Sequence, residues 1–171
     1  MKYFAPITLF SLAAIACSSA DTENVYDIKS PTGEVMGQVE LSSIGAEGVQ
    51  VDVGVEGLAA GLHARHLHET GKCEGPSFKS AGGHYNPTNS AHGSKMQDGP
   101  HAGDMMNIYV YEDGRGDSEI VNERVSLNGD YGLPALFDAD GTALIIHERA
   151  DDYESQPSGA AGARIGCAVI K

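Results

Sequence analysis

Tryptophan is absent from the chain, and Phe and Tyr bring the aromatic share to only 6% of 171 residues. With 41% hydrophobic residues a core can form, but it must be built mainly from aliphatic side chains. Positive charge is equally scarce. Eleven Lys and Arg stand against 24 Asp and Glu, a formal net charge of -13. That balance excludes nucleic acid and anionic membrane surfaces as partners, because both are bound through Lys and Arg. It also means that a small anion is repelled unless a local positive group draws it in. No apolar run reaches the ~20 residues of a membrane-spanning helix. There is no internal repeat, and no stretch carries the 3.6-residue periodicity of an amphipathic helix. What the chain has in quantity is glycine, 22 residues, which signals many turns and close backbone approaches.

The first residues read as an export signal. Lys2 precedes an apolar run from Tyr3 to Ile15 that ends in Ala14-Ile15-Ala16-Cys17, the basic, apolar and small-residue order of a secretory segment. Two cuts fit. One falls before Cys17, which would then be lipidated as in a bacterial lipoprotein, although Ala14 stands where such boxes prefer Leu. The other falls after Ala20. The expected division is a signal over 1–20 and one domain over 21–171, a length that suits a single domain. Of the three cysteines, removal or lipidation of Cys17 leaves Cys73 and Cys167. In an oxidising compartment that pair is most simply a disulfide; two separate buried thiols are the other reading.

Along the domain, alternation marks strands at Val25–Ile28 and Glu34–Leu41, joined by Ser30-Pro31-Thr32-Gly33, and again at Val49–Glu56. Gly61–Glu69 follows as the next strand. From Thr70 to Asp104 periodicity disappears in a segment of Gly, Pro, Ser, Asn and His. A loop that long inside a compact domain is usually functional and needs something to order it. Strands resume at Met106–Tyr111, Glu119–Leu127 and Thr142–His147. A second long loop spans Glu148–Ala163, and Arg164–Ile170 is the last strand. About eight short strands with two long functional loops predict an all-β, Greek-key antiparallel sandwich or flattened barrel.

The histidines decide the function class. In a strand, His66 and His68 leave the same face, and two imidazoles on one rigid element make half of a transition-metal site. All but one of the chain's seven histidines, His63, His66, His68, His84, His92, His101 and His147, lie in the long loop or at strand ends beside it. An all-imidazole copper site and a zinc site of imidazoles plus one carboxylate both draw on this set.

With those residues in place, the chain resembles the copper/zinc superoxide dismutases in their exported bacterial form. The resemblance covers the domain and rests on Gly61-Leu62-His63-x-x-His66-x-His68-Glu69, His84-Tyr85-Asn86-Pro87, His101-Ala102-Gly103-Asp104, His147-Glu148-x-Ala150-Asp151 and Gly162-Ala163-Arg164-Ile165-Gly166-Cys167. It implies copper held by His66, His68, His84 and His147, and zinc held by His84, His92, His101 and Asp104, with His84 bridging the two. It also implies that Asp151 supports His66 and His92, that Arg164 guides the substrate superoxide, and that His63 is structural. The activity implied is conversion of superoxide to oxygen and hydrogen peroxide by alternate reduction and reoxidation of the histidine-bound copper, in the periplasm, either free or lipid-anchored through Cys17, with a homodimer as a further expectation. The competing reading is a non-catalytic copper-binding or copper-delivery protein. Three departures stand out. Arg65 replaces an apolar or aromatic residue, Ala160 replaces Gly or Asn, and the 148–163 loop lacks the lysine-bearing part found in eukaryotic members, which leaves Lys72 and Lys79 as weak substitutes.

Overall fold

The structure is a computed structural model, and it describes residues 24–171. The expected signal over 1–20 and Cys17 lie outside the described residues. Nine strands form among the described residues: β1 Asn24–Lys29, β2 Val35–Ser43, β3 Val49–Val55, β4 Gly61–His63, β5 Arg65–His68, β6 Ile108–Val110, β7 Gly116–Asn122, β8 Thr142–His147 and β9 Arg164–Ile170. Among the described residues there is no α-helix, only three short 3-10 turns. Seven strands make one antiparallel sheet in the order β5-β8-β9-β1-β2-β3-β7, while β4 and β6 pair separately. The non-sequential neighbours β5-β8, β9-β1 and β3-β7 are the crossings of a Greek-key arrangement.

The sheet curls because its strands share one core. In β3, Val49, Val51, Val53 and Val55 alternate inward with Gln50, Asp52 and Gly54 outward. Each valine contributes about 1.5–3 kcal/mol on burial. They meet Ile28 of β1, Val39 and Leu41 of β2, Leu67 of β5, Ile108 of β6, Leu144 and Ile146 of β8, and Ala168 and Ile170 of β9 in the same cluster. A sheet whose opposite edges meet one apolar mass must wrap around it.

The strand β8 is buried on both faces. Leu144 and Ile146 enter the main core, whereas Ala143 and Ile145 join Phe78, Ala81 and Cys167 in a second cluster outside it. The start of the long loop therefore packs on the outer face of β8 and β9. There Cys73 is bonded to Cys167 with Cα atoms 5.7 Å apart, closing a separation of 94 residues. On the chain-entropy account such a closure contributes about 4–5 kcal/mol.

Two elements differ from expectation. The Gly61–Glu69 stretch is two strands, β4 beside β6 and β5 beside β8. Between them Ala64 has already left β6: its N–H donates to Arg149 O, just past β8, and its carbonyl accepts from the N–H of His147, the last residue of β8, both at 2.8 Å. The strand expected at Glu119–Leu127 runs instead from Gly116 to Asn122. It stops there because Asn122 turns inward, donating to Ala102 O and accepting from Arg124 N–H.

Candidate metal centre

Pleating puts His66 and His68 on the face of β5 opposite Leu67, which belongs to the core. Their cross-strand partners on β8 are Ile145 and Ala143, the residues of the outer cluster. The imidazoles thus lie between the sheet and the loop that covers it. That loop pairs with the edge of β5. Leu67 N–H donates to Gly103 O, Tyr85 N–H to Leu67 O, and Glu69 N–H to Gly83 O, at 2.8–3.0 Å. Gly103 is required for this contact, since a Cβ there would stand 2.3 Å from Leu67 O. The pairing carries His84 and Asp104 directly alongside β5, where they bridge to His68 and His66 respectively.

Two overlapping sets of donors result. His66, His68, His84 and His147 form one; His84, His92, His101 and Asp104 form the other; within each set the donor atoms lie within 4.8 Å of one another. The His84 ring is shared, with its centroid 4.0 Å from His66 and 5.0 Å from His68 on one side, and 5.1 Å from His92 and 5.4 Å from His101 on the other. All seven residues are buried.

The hydrogen bonds show which atoms are left for a metal. His66 Nε2–H donates to Asp151 Oδ2 at 2.9 Å, and His68 Nδ1–H donates to Gly82 O at 3.0 Å. His147 Nδ1 faces Gly162 O at 3.5 Å. The opposite nitrogens, His66 Nδ1, His68 Nε2, His84 Nε2 and His147 Nε2, are buried with no hydrogen-bond partner. Four orphaned imidazole nitrogens converging in one place are costly unless a cation occupies the centre. An all-nitrogen donor set of this kind suits copper. In the second set His84 Nδ1, His92 Nδ1 and His101 Nδ1 crowd around Asp104 at 2.8–3.3 Å. Three imidazoles and one carboxylate suit zinc.

The electrostatics follow from burial and from the two carboxylates. Burial pushes His66 down to about 4 and His147 down to about 3, and drives His68 well below its usual value. These rings are therefore neutral, the state that ligates. Burial also works against charge on His92, but Asp104 and Asp151 on its two nitrogens raise it to about 9. Despite burial, Asp104 and Asp151 are held well below the usual carboxylate range by their histidine partners. In the metal-free protein a proton on His92 thus stands between two carboxylates.

The remaining expected residues fall around these sets. Asp151 joins them by accepting from His66 Nε2–H and from His92 Nε2–H at 3.0 Å. Arg164 donates from Nη1 to Phe78 O and from Nη2 to Gly82 O, each at 2.7 Å. Gly82 O also accepts from His68, so one carbonyl links the guanidinium to the four-imidazole set. His63 bonds His147 O and Ala59 O through its two ring nitrogens, at 2.8 and 2.9 Å, and touches neither donor set. Arg65 is fully buried on the opposite face. Its Nε–H donates to Met106 O and its Nη2 to Ser118 Oγ, and burial lowers it to about 10.

Several supporting residues escape a reading of the sequence. Arg124 donates to His101 O and Asp104 O, and Asn122 to Ala102 O, so the end of β7 and the turn after it grip three of the four carbonyls from His101 to Asp104. Asn107 and Gln156 hold the backbones of Asp151 and His92. Each works through a carboxamide on irregular backbone, which in the sequence looks like ordinary turn chemistry.

Comparison with known proteins gives a consistent answer. The family model for copper/zinc superoxide dismutase matches residues 35–170. Superoxide dismutase [Cu-Zn] 2 of Aquifex aeolicus is 41% identical over 174 residues, covering 100% of both chains. Superoxide dismutase [Cu-Zn] of Caulobacter vibrioides is 41% identical over 145 residues, covering 84% of this chain and 83% of that protein. The crystal structure of a SOD-like protein from Bacillus subtilis superposes with a TM-score of 0.82 at 36% identity, covering 86% of this chain and 98% of that one. Cu/Zn superoxide dismutase from Brucella abortus gives a TM-score of 0.69 at 27% identity, covering 87% and 99%.

Proposed function

The chain belongs to the copper/zinc superoxide dismutase family, and on that premise we propose how its own residues divide the work. It is an oxidoreductase that converts superoxide to oxygen and hydrogen peroxide, with copper and zinc as cofactors. In our reading His66, His68, His84 and His147 hold copper, and His84, His92, His101 and Asp104 hold zinc. Copper, when bound, would supply the one-electron oxidation and reduction of superoxide, while zinc, which has no redox chemistry, would be held by the set that shares His84.

The protein's part is to bind, orient and move protons. Arg164 presents a guanidinium whose two amino groups are committed to Phe78 O and Gly82 O, which fixes its charge as an attractor for a small anion. His84 Nε2 is the atom we assign to hold and release a proton during turnover, since it lies in the four-imidazole set and has no other partner. Asp151 keeps the tautomers of His66 and His92 by accepting from both rings. His84 and Arg164 are thus the catalytic residues.

The observation that carries this reading is the convergence of four buried, partnerless imidazole nitrogens on a histidine shared with a three-imidazole and carboxylate set. The test is superoxide consumption by metal-free protein reloaded with one copper and one zinc. Activity that is lost in His84→Ala while copper stays bound is the expected result. An inactive but fully loaded wild type would sink the enzyme and favour a copper carrier, a role that needs neither a shared imidazole nor an anchored arginine.

We further propose an exported, periplasmic protein, processed either after Ala20 or before a lipidated Cys17 that anchors it to the membrane. The mass of the mature amino terminus distinguishes the two. For a homodimer, the exposed face of β4 and β6 is our choice of contact. There Leu62 pairs with Tyr109 across the strands, and the Tyr109 and Tyr111 rings meet at 5.0 Å. Sedimentation of Tyr109→Glu against wild type checks this, with a monomer expected only for the variant.

A further inference from the structure

His92 is 0% exposed, so its peptide N–H and C=O are out of reach of water. Buried main-chain groups of this kind must find partners. Neither pairs with any other backbone group. His92 N–H donates to Gln156 Oε1 at 2.9 Å, and Gln156 Nε2 donates to His92 O at 2.8 Å. Those are the only hydrogen bonds that either group makes among the described residues. A single carboxamide from the 148–163 loop therefore closes on both sides of the peptide of one metal-ligating histidine, as a neighbouring strand would. Gln156 Nε2 also donates to Glu154 O at 3.0 Å, which orients the amide from its own side.

The same device appears in the opposite direction. Asp151 N–H donates to Asn107 Oδ1 at 2.9 Å, and Asn107 Nδ2 donates to Asp151 O at 3.0 Å. Asn107 is held in turn, its N–H donating to Tyr153 Oη at 2.9 Å. Asp151 is 3% exposed, and its main-chain N–H and C=O make no other hydrogen bond among the described residues. Two carboxamides, one from each segment, thus bracket the two ends of the His92 Nε2–Asp151 Oδ1 hydrogen bond. Gly159 completes the fit, since a Cβ there would stand 1.8 Å from Asp151 Oδ1 and 2.8 Å from His92 Nε2.

We propose that Gln156 is a positioning residue for the zinc set: it fixes the backbone of His92 so that Nδ1 faces Asp104, and so sets zinc affinity without acting on copper. Asn107 is its counterpart for Asp151. Because Asp151 holds His66 of the copper set as well as His92 of the zinc set, Asn107 acts on both metals. The inference rests on the assignment of the two donor sets to copper and zinc given above. Groups that orient metal ligands commonly account for 10–100-fold in affinity.

The experiment measures the affinity of the metal-free full chain for each metal by competition with a chromophoric chelator. Wild type, Q156M, Q156E and N107A are compared. Q156M, a side chain of similar length without polar atoms, is expected to bind zinc about tenfold more weakly, with copper affinity within twofold of wild type. Cobalt(II) placed in the zinc set should show altered visible bands in Q156M, while the copper bands stay as in wild type. N107A is expected to weaken both metals. Q156E keeps an acceptor for His92 N–H but turns a charged oxygen toward His92 O and Glu154 O in place of the donor, so its zinc affinity should fall as well; it also carries the test if Q156M does not fold. Zinc affinity at the wild-type value in the folded glutamine variants, or equal loss of both metals in them, overturns the proposal. A wild-type protein that takes up neither metal overturns the assignment of the sets instead.

Discussion

Arg164 shows how much a single side chain can do in a protein of net charge -13. Its guanidinium is half-buried against Phe78 O and Gly82 O, and its charge is felt at His68 and His147. A unit charge near a wet opening is worth about 1–2 kcal/mol to an anion. Arg164→Ala is therefore expected to lower kcat/KM for superoxide roughly tenfold and to flatten its dependence on ionic strength. Stopped-flow decay of superoxide at two salt concentrations checks this, and an unchanged rate removes Arg164 from the catalytic set. The histidines give a second expectation, for the metal-free protein. His66 and His147 sit at about 4 and about 3 in the fold, against ~6.5 when unfolded. Their stabilisation is complete above that unfolded value and is lost as pH falls from it toward 4 and 3. His92, raised to about 9, works in the other sense: its contribution is complete below ~6.5 and is lost as pH rises through 9. Asp104 and Asp151 are held low, so their share survives until the solution is more acidic than an ordinary carboxylate. Thermal unfolding of metal-free protein should accordingly be highest near neutrality and fall on both sides. Zinc replaces the proton of His92 and should abolish the alkaline arm. A curve still rising at pH 9 without metal would contradict this account of His92.

At the scale of elements, the closing loop carries a local cost that can be relieved. Ala160 adopts φ 53, a left-handed conformation in which an alanine side chain is strained by about 1 kcal/mol or more. Its side chain is exposed, and its carbonyl accepts from Arg149 Nε–H at 3.3 Å. Ala160→Asn keeps that carbonyl and suits the backbone, so it should stabilise the protein by roughly 0.5–1 kcal/mol, read as a higher denaturant midpoint with unchanged slope. The loops also mark the boundary of what the amino acids declare by themselves. His66, His68, His84, His92, His101, Asp104 and His147 were legible because imidazole and carboxylate chemistry is distinctive and the residues lie at strand ends or in one irregular segment. Asn107, Gln156 and Arg124 were not, because their partners are carbonyl and amide groups that every residue possesses. The split of β4 from β5 was hidden for a similar reason. No turn residue interrupts Leu62 to His68, and the break comes from Ala64 leaving β6 to bond Arg149 and His147.

For the whole molecule, the organising fact is that the donor sets lie outside the curled sheet, clamped between β5 and β8 and a loop fastened by Cys73–Cys167. The fold class followed from composition and alternation, since Val49, Val51, Val53 and Val55 announce one buried face directly. The sharing of one core by strands from both edges did not, because it depends on curling that no local pattern encodes. The position of β5 has a consequence for solubility. It is an outermost strand of the seven-stranded sheet, and its otherwise open backbone is covered by the segments that present His84 and Asp104. Those segments guard an edge that would otherwise recruit a strand from another molecule, and metals held by His84 and Asp104 would fasten them there. Chelated protein held at neutral pH should form light-scattering oligomers faster than loaded protein at the same concentration. In that sense the ions protect the population of molecules as well as the chemistry of each one.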